Sequence, residues 1–375
     1  MIKILFFIET LVGGGAEKVL RDLVNHMDQH EFDITVQTVW PCDAEQYLAP
    51  GIRYKAMYPS DNRTNRLRFR LEAESGLAYR LHVKGNYDVE CAFLESCPTK
   101  VIASSTNKRA KKIAWVHCSL TRALNDYSAF EAKAAPWYRS YDCVACVSQS
   151  VKEDFDRLFH SAFPSEVVYN VVEDDVIRSR AEEAVPGIQK RRLTALAVGR
   201  FMPQKNYPRL LKTHERLLAS GIAHDLWILG DGEQRPEIER FIREHNLTDS
   251  VLLFGFQKNP YPYLKAADLI VCSSNFEGFS TVITESAILG KAIVTTDCSG
   301  MREILGDSEY GLITDNSDEA FYHGVKTMLT DAGLRDGYAK KAANRGQQFS
   351  TNALVSQTQD FIKSIFKQSC GKAVE

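Results

Sequence analysis

Two carboxylates, Glu277 and Glu285, bracket the run Gly278-Phe279-Ser280-Thr281-Val282-Ile283-Thr284. The apolar stretch Leu269-Ile270-Val271-Cys272 before them reads as a β-strand, and Thr284 to Leu289 after them has helical character. The segment therefore predicts strand, glycine turn, helix, with Glu277 on the loop and Glu285 about one turn into the helix. Backbone N–H groups at such a helix start are ready partners for phosphate. Carboxylates in the same place are partners for hydroxyls. A ligand carrying both groups fits, and a nucleotide-sugar is such a ligand.

A second strand end, Ala197-Val198-Gly199, is followed by Arg200 and, five residues on, by Lys205 and Asn206. The forked guanidinium and the compact ammonium together suit a diphosphate, and solvated surface cations are the blander reading. Leu229-Gly230-Asp231-Gly232-Glu233 places Gly232 where the backbone either turns or lets a ligand approach. Phe256 and Gln257, past the strand Val251–Phe254, could flank a nucleobase. In the first half, Gly13-Gly14-Gly15 follows the first strand and opens a helix. It lacks the G-x-G-x-x-G spacing, and the second strand ends Thr38-Val39-Trp40 without an acidic residue, which disfavours a dehydrogenase. His117 lies just past a strand as either a structural or a site imidazole. Glu95 ends another strand, to meet an acceptor hydroxyl or to cap the next helix.

These positions need a scaffold that gathers strand ends. Strands Ile2–Ile8, Asp33–Val39, Val89–Leu94, Lys112–Val116, Cys143–Val147 and Glu166–Val168 alternate with helical runs in the first part. A second series follows at Leu193–Val198, Asp225–Leu229, Val251–Phe254, Leu269–Cys272 and Ala292–Thr295. Alternation of this kind predicts parallel α/β layers, with ligands beyond the carboxyl ends of the strands. The expected division is an acceptor domain over 1–170, a donor domain over 171–350 and a final helix within 351–375 packing back on the first domain. The polar stretch 171–189, with Pro186 and Gly187 near its end, is read as the connection.

At 375 residues the chain has room for two domains, and its net charge of −2 argues against a general nucleic-acid binder. No apolar run is long enough to span a bilayer, and the apolar start reads as a first strand rather than a signal peptide. The nine cysteines are odd in number and scattered, as expected for cytosolic thiols, and Cys143-Val-Ala-Cys146 reads as buried strand rather than a redox pair. No His, Cys or carboxylate set has metal-ligand spacing; the acidic run Glu173-Asp174-Asp175 falls in the connection. Arg63, Arg66, Arg68 and Arg70, interleaved with Leu67 and Phe69, form a basic group, and Lys108, Arg109, Lys111 and Lys112 a second. They are solvated faces or, in the sharper reading, contacts for an anionic membrane surface or a pyrophosphate-linked acceptor.

Taken together, the glycine turn Gly13–Glu17, the Gly199-Arg200-Phe201…Lys205-Asn206 loop, Leu229–Gly232 and above all Asn275 to Thr296 resemble the family 4 glycosyltransferases. The resemblance covers nearly the whole chain, and the Trp115-Val116-His117 segment is similar to members that build bacterial surface polysaccharides. It implies the GT-B architecture, two Rossmann-like domains facing each other across a cleft. It implies retaining transfer of a hexose or N-acetylhexosamine from a nucleotide-sugar, most simply a UDP-sugar, to a glycan or lipid-linked glycan, without metal or other cofactor. It places the enzyme in the cytoplasm, with peripheral contact at the inner membrane face. Arg200 and Lys205 would neutralise the donor diphosphate, Glu285 would bind the ribose, and Glu277 would bind hydroxyls of the donor sugar. Backbone amides of Gly278, Phe279, Ser280 and Thr281 would reach sugar and phosphate, Gly14 and Gly15 would contact phosphate, and His117 would sit near the transferring sugar. A nucleotide-sugar 2-epimerase, which shares this architecture, and, from a different class, a catalytically silent glycan-binding subunit stand as the alternatives.

Overall fold

The computed structural model describes residues 1–124, 126–184 and 190–368. They form two compact units, Met1–Val172 with the segment from Thr351 onward, and Glu173–Ser350. The first unit is built on strands β1 (Ile2–Ile8), β2 (Phe32–Thr38), β3 (Arg53–Ala56), β4 (Val89–Ala92), β5 (Lys111–Val116), β6 (Cys143–Cys146) and β7 (Ser165–Val167). All pairings are parallel, in the order β3-β2-β1-β4-β5-β6-β7, with Ile4 of β1 opposite Ile34 of β2 and Val89 of β4. Ile4, Leu5, Phe6 and Phe7 are fully buried. A parallel sheet covered on both faces demands such an unbroken apolar run, which is why β1 is legible in the sequence.

The second unit carries β8 (Thr194–Val198), β9 (Asp225–Leu229), β10 (Val251–Gly255), β11 (Leu269–Cys272), β12 (Ala292–Thr296) and β13 (Leu312–Thr314), also all parallel, in the order β10-β9-β8-β11-β12-β13. Strand order reverses between β1 and β4 in one sheet and between β8 and β11 in the other. Loops leaving the carboxyl ends of neighbouring strands diverge at such a point, and ligands of open α/β sheets bind there. The densest candidate residues, Arg200 to Lys205 and Glu277 to Thr281, follow β8 and β11.

Two points of the expected layout change. Strands β3 and β13 were not foreseen; both are edge strands, one reading Arg-Tyr-Lys-Ala and the other only three residues long, too polar or too short for a periodic signal. The stretch read as a plain connection contains the helix Asp174–Arg180, whose Ile177 is fully buried and whose Arg178 donates to the Ile288 carbonyl at 2.8 Å. Asp174 and Asp175 occupy its first turn, where acidic side chains oppose the helix dipole. Pro186 and Gly187 lie outside the described residues. The last helix, Thr351–Lys367, packs within the first unit: Thr351 donates to the Val172 carbonyl at 2.9 Å, and Phe361 meets Trp115 with ring centroids 6.0 Å apart. Cys143 and Cys146 sit on β6 in the core, and burial pushes the Cys143 thiol up to about 12, so neither is a ready thiolate.

The second unit also holds a buried histidine pair. His214 Nδ1 lies 2.9 Å from His224 Nε2, and His214 Nε2 lies 2.9 Å from Ser250 Oγ. Burial, then the neighbouring His224 and Arg192, lowers the His214 pKa to about 3 from 6.5, and burial lowers that of His224. The folded unit therefore holds both rings neutral while the unfolded chain takes up protons near 6.5. Stability is complete above that pH and is lost as pH falls from 6.5 towards 3, at about 1.4 kcal/mol per pH unit for His214 alone. Unfolding free energies from urea titrations at pH 7.5 and 5 should thus differ by about 2 kcal/mol from this source, and His214→Gln should flatten that slope. Equal slopes in the two proteins would refute the assignment.

Candidate active site

Because β8 and β11 are neighbours, the loops that leave them lie side by side. Backbone and side chains zip them together. Asn275 N donates to the Gln204 carbonyl at 2.7 Å, Asn275 Nδ2 to the Pro203 carbonyl at 3.0 Å, and Ser273 Oγ to the Lys205 carbonyl at 2.8 Å. Asn206 adopts the left-handed region at φ 48° and caps the helix Tyr207–Ala219 by accepting from Arg209 N at 3.2 Å. The result brings Lys205 to Glu277, with Nζ 2.6 Å from Oε1. Ser274 Oγ donates to the same oxygen at 2.6 Å, and Gln204 Nε2 to Oε2 at 3.3 Å.

Glu277 is buried, and the Lys205 side chain nearly so. Burial works most strongly, against the charged ammonium, but the neighbouring groups, the Glu277 carboxylate first among them, together outweigh it, and the net shift of Lys205 is upward. Lys205 is therefore a fixed cation at any ordinary pH. It lines a small cavity with Ala197, Tyr207, Cys272, Ser274 and Ser280. Gly199 makes room for its stem: a Cβ there would stand 3.0 Å from Lys205 Cε. Arg200, in the same loop, is exposed and forms no side-chain hydrogen bond or ion pair with the described residues. The loop thus offers one tethered cation and one untethered cation.

Residues not recognised in the sequence hold this arrangement. The buried Arg209 donates to Asn316 Oδ1 at 2.7 Å, to Asp318 Oδ1 at 2.8 Å and to the Ser273 carbonyl at 3.3 Å. Asn316 Nδ2 donates to the Asn275 carbonyl at 2.9 Å, and Thr296 Oγ1 to that of Ser274 at 2.5 Å. Nothing in the chain marks Asn316 or Thr296, because only the strand order brings them beneath the Glu277 loop. Gly300, at φ 78°, packs its α-carbon against the Gly278 carbonyl and against Phe279 Cα. Gly232 has a similar duty: a Cβ there would lie 2.5 Å from the Phe201 carbonyl oxygen and 2.8 Å from its nitrogen. Its glycine is required by close backbone packing under the Arg200 loop.

The remaining predicted positions of this unit are spread along the same sheet edge. Ser280 precedes and Thr281 begins the helix Thr281–Ile288, while Phe279 is buried with its ring 6.3 Å from that of Phe349. Glu285 is buried within that helix and accepts from Tyr261 Oη at 3.3 Å. Phe256 is 72% exposed past β10, and Gln257 donates to the Phe254 carbonyl at 2.7 Å.

In the first unit, Gly13 is the residue of the glycine turn in left-handed backbone, at φ 105°, while Gly14 precedes and Gly15 begins the helix Gly15–His26. No atom lies within 4 Å of where a Cβ on Gly13 or Gly15 would stand. Glu95 does not cap the helix that follows it. It accepts from His117 N at 3.0 Å and from Cys118 Sγ at 3.0 Å, so it ties the turn after β4, with Ser96 at φ 71°, to the loop after β5. The helix Cys97–Ala103 has no side-chain cap. The His117 ring lies tilted against that of Phe93 with centroids 4.9 Å apart, and its buried Nε2 has no hydrogen-bond partner among the described residues. Burial lowers its pKa to about 3, so the ring is neutral. A buried polar atom left unpaired is costly and is the kind of group a ligand satisfies.

The sequence of residues 13–176 matches the Glycosyltransferase Family 4 model, and residues 179–345 match Glycosyl transferases group 1. The chain belongs to the family 4 glycosyltransferases. A Campylobacter jejuni N-acetylgalactosamine-N,N'-diacetylbacillosaminyl-diphospho-undecaprenol 4-alpha-N-acetylgalactosaminyltransferase is 29% identical over 361 residues, covering 93% of this chain and 96% of that one. The amylovoran biosynthesis glycosyltransferase AmsD of Erwinia amylovora is 23% identical over 96% of this chain and its own full length. Among solved structures, HepE of Anabaena in complex with UDP and glucose aligns with a TM-score of 0.77 at 18% identity, covering 97% of this chain and 100% of that chain. A sucrose-phosphate synthase from Thermosynechococcus elongatus aligns with a TM-score of 0.82 at 18% identity, covering 98% and 100%. The glycosyltransferase thus has the GT-B fold, two parallel-sheet Rossmann-like domains. No helix among the described residues is long and apolar enough to cross a membrane.

Proposed function

We propose that this glycosyltransferase moves a hexose or N-acetylhexosamine, with retention, from a UDP-sugar to a glycan or lipid-linked glycan during polysaccharide assembly. The carrying observation is the Lys205–Glu277 pair beside the untethered Arg200 at the switch point of the second sheet. As the glycosidic bond to the diphosphate breaks, negative charge grows on the leaving group. Lys205 is a cation already held in place to meet it, and such preorganised charge is usually the largest catalytic contribution; Arg200, in the same loop, adds a second cation free to swing onto the diphosphate. With two cations there, the scheme calls for no metal. Glu277 has both oxygens engaged, by Lys205, Ser274 and Gln204, which suits a group that orients a sugar hydroxyl better than one that attacks the anomeric carbon. Retention then follows from same-face attack, with the leaving phosphate taking the acceptor's proton.

The choice of UDP is supported by the HepE complex with UDP and glucose, and the lipid-linked acceptor by the diphospho-undecaprenol in the name of the Campylobacter relative. The test is a screen of UDP- and GDP-sugars by thermal shift and slow donor hydrolysis. A UDP-sugar should raise the unfolding temperature and release UDP. Stabilisation by GDP-sugars alone would overturn the base assignment, and conversion of the sugar to its epimer without acceptor would overturn transfer.

A further inference from the structure

The helix Asp174–Arg180 holds two segments of the second unit that follow strand ends. Its Arg178 donates to the carbonyl of Ile288, the last residue of the helix Thr281–Ile288. The Arg180 carbonyl accepts from Asn259 Nδ2 at 3.1 Å, and Glu183 Oε2 accepts from the same nitrogen at 2.9 Å. Asn259 Oδ1 in turn accepts from Tyr261 N at 3.2 Å, which fixes the start of the helix Tyr261–Ala266 just past Phe256 and Gln257. One short helix thus anchors both the element that carries Glu285 and the turn that carries Tyr261.

Those two side chains meet inside the unit. Both residues are 4% exposed, and Tyr261 Oη donates to Glu285 Oε1 at 3.3 Å. A buried phenol costs desolvation unless its hydroxyl finds a partner, and a phenylalanine would fill nearly the same space without that cost. The carboxylate explains why a tyrosine stands there. Its hydroxyl carries no charge, so it orients Glu285 without neutralising it, whereas Lys205 meets Glu277 as a cation. A carboxylate has about four lone-pair sites, and a donor fixed on one of them sets the plane in which the others point. The bond is long for a hydroxyl donor, which leaves it room to shorten as the carboxylate turns towards a ligand.

We propose that Tyr261 is a positioning residue for the ribose of the donor. It holds the Glu285 carboxylate in the orientation that accepts from ribose hydroxyls, and so sets a preference for ribonucleotide over deoxyribonucleotide. The inference rests on the donor reading above, with Glu285 at the ribose. Tyr261 acts through Glu285.

The test is calorimetric titration of the full-length protein with UDP, 2′-deoxy-UDP and 3′-deoxy-UDP, and with GDP and 2′-deoxy-GDP. A hydroxyl bonded to a carboxylate is worth about tenfold or more in affinity, so wild type should prefer UDP to one or both of its deoxy forms by at least that factor. Tyr261→Phe removes one oxygen and keeps the ring's packing. It should reduce the preference to about threefold or less, with affinity for the deoxynucleotide near that of wild type. Glu285→Ala should lose the preference too, and Tyr261→Phe/Glu285→Ala should lose no more, because one residue acts through the other. Tyr263→Phe, two positions on in the same helix, should keep the wild-type preference. A wild-type preference in Tyr261→Phe would overturn the proposal and leave Glu285 at the ribose. So would an equal loss in Tyr263→Phe, since helix packing would then be the cause. A wild type that binds UDP and both deoxy forms alike would overturn the ribose assignment of Glu285 and the proposal with it. Binding of the guanine nucleotides alone would instead overturn the choice of UDP, and Tyr261 would stand or fall on the ratio of GDP to 2′-deoxy-GDP.

Discussion

Lys205→Ala should lower kcat/KM by about 100- to 1,000-fold, the typical cost of removing one preorganised group that meets charge developing in the transition state. The loss should fall mainly on kcat, because the charge it meets grows as the diphosphate leaves. The same substitution should destabilise the second unit, since it strips the buried Glu277 of its counter-charge and leaves only Ser274 and Gln204 as partners. Breaking a buried pair from one side costs on the order of 3 kcal/mol, and the remaining hydrogen bonds and the partial exposure of Lys205 reduce that. The double variant Lys205→Ala/Glu277→Gln separates the two effects. It should recover most of the lost unfolding temperature and remain as inactive as the single variant. Transfer near the wild-type rate in Lys205→Ala would remove the residue from the mechanism. Because the Lys205 pKa is shifted upward, its folded form is stabilised as the cation. That contribution is complete below the ordinary lysine pKa of 10.5 and is lost only as pH rises through the higher folded value. A fall in wild-type activity near neutral pH must then come from another group.

What the sequence makes legible follows the physics of parallel sheets. Central strands such as β1 and β11 are apolar on both faces, so their positions and the loops after them can be read directly. That suffices to single out Arg200, Lys205 and Glu277, each just past a strand's carboxyl end in sequence, and Glu285 in the helix that follows. Edge strands leave weaker traces, which is why β3 and β13 escape. The supporting layer is less legible still. Arg209, Thr296 and Asn316 lie apart in the sequence, and their common task depends on β11 lying beside β8 rather than beside its sequence neighbour β10. Glu95 shows the opposite case: its place at a strand end is legible, but its partner is a backbone amide on the loop after β5, found only when the strands pair. Residue type and position in sequence thus identify groups that can meet a ligand. Strand order decides which of them are already committed to the protein itself.

Gly300→Ala tests how much the support matters, at a residue that touches no proposed substrate atom. Its backbone sits at φ 78°, which a Cβ tolerates poorly, and a methyl there would overlap the Gly278 carbonyl oxygen and stand 3.1 Å from Phe279 Cα. Neither contact is the yielding end of a flexible side chain. Phe279 cannot retreat freely, because it is buried and its ring packs on Phe349. The clash should therefore be relieved by displacing the Gly278–Ser280 backbone, which leads from Glu277 into the helix Thr281–Ile288. A shift on the order of 1 Å in a substrate-positioning segment costs about 100-fold in rate, so kcat/KM for the UDP-sugar should fall by roughly that factor, with the donor KM rising as well. Overpacking should add a stability loss of about 1–3 kcal/mol, a few degrees in the unfolding temperature. Gly221→Ala makes the control, since it also sits at positive φ, 81°, but has open space around its α-carbon. It should share the backbone strain and keep activity. Equal kinetics in the two variants would mean that the Gly300 contact does not position the loop, and the link from Gly300 to Glu277 would have to be abandoned.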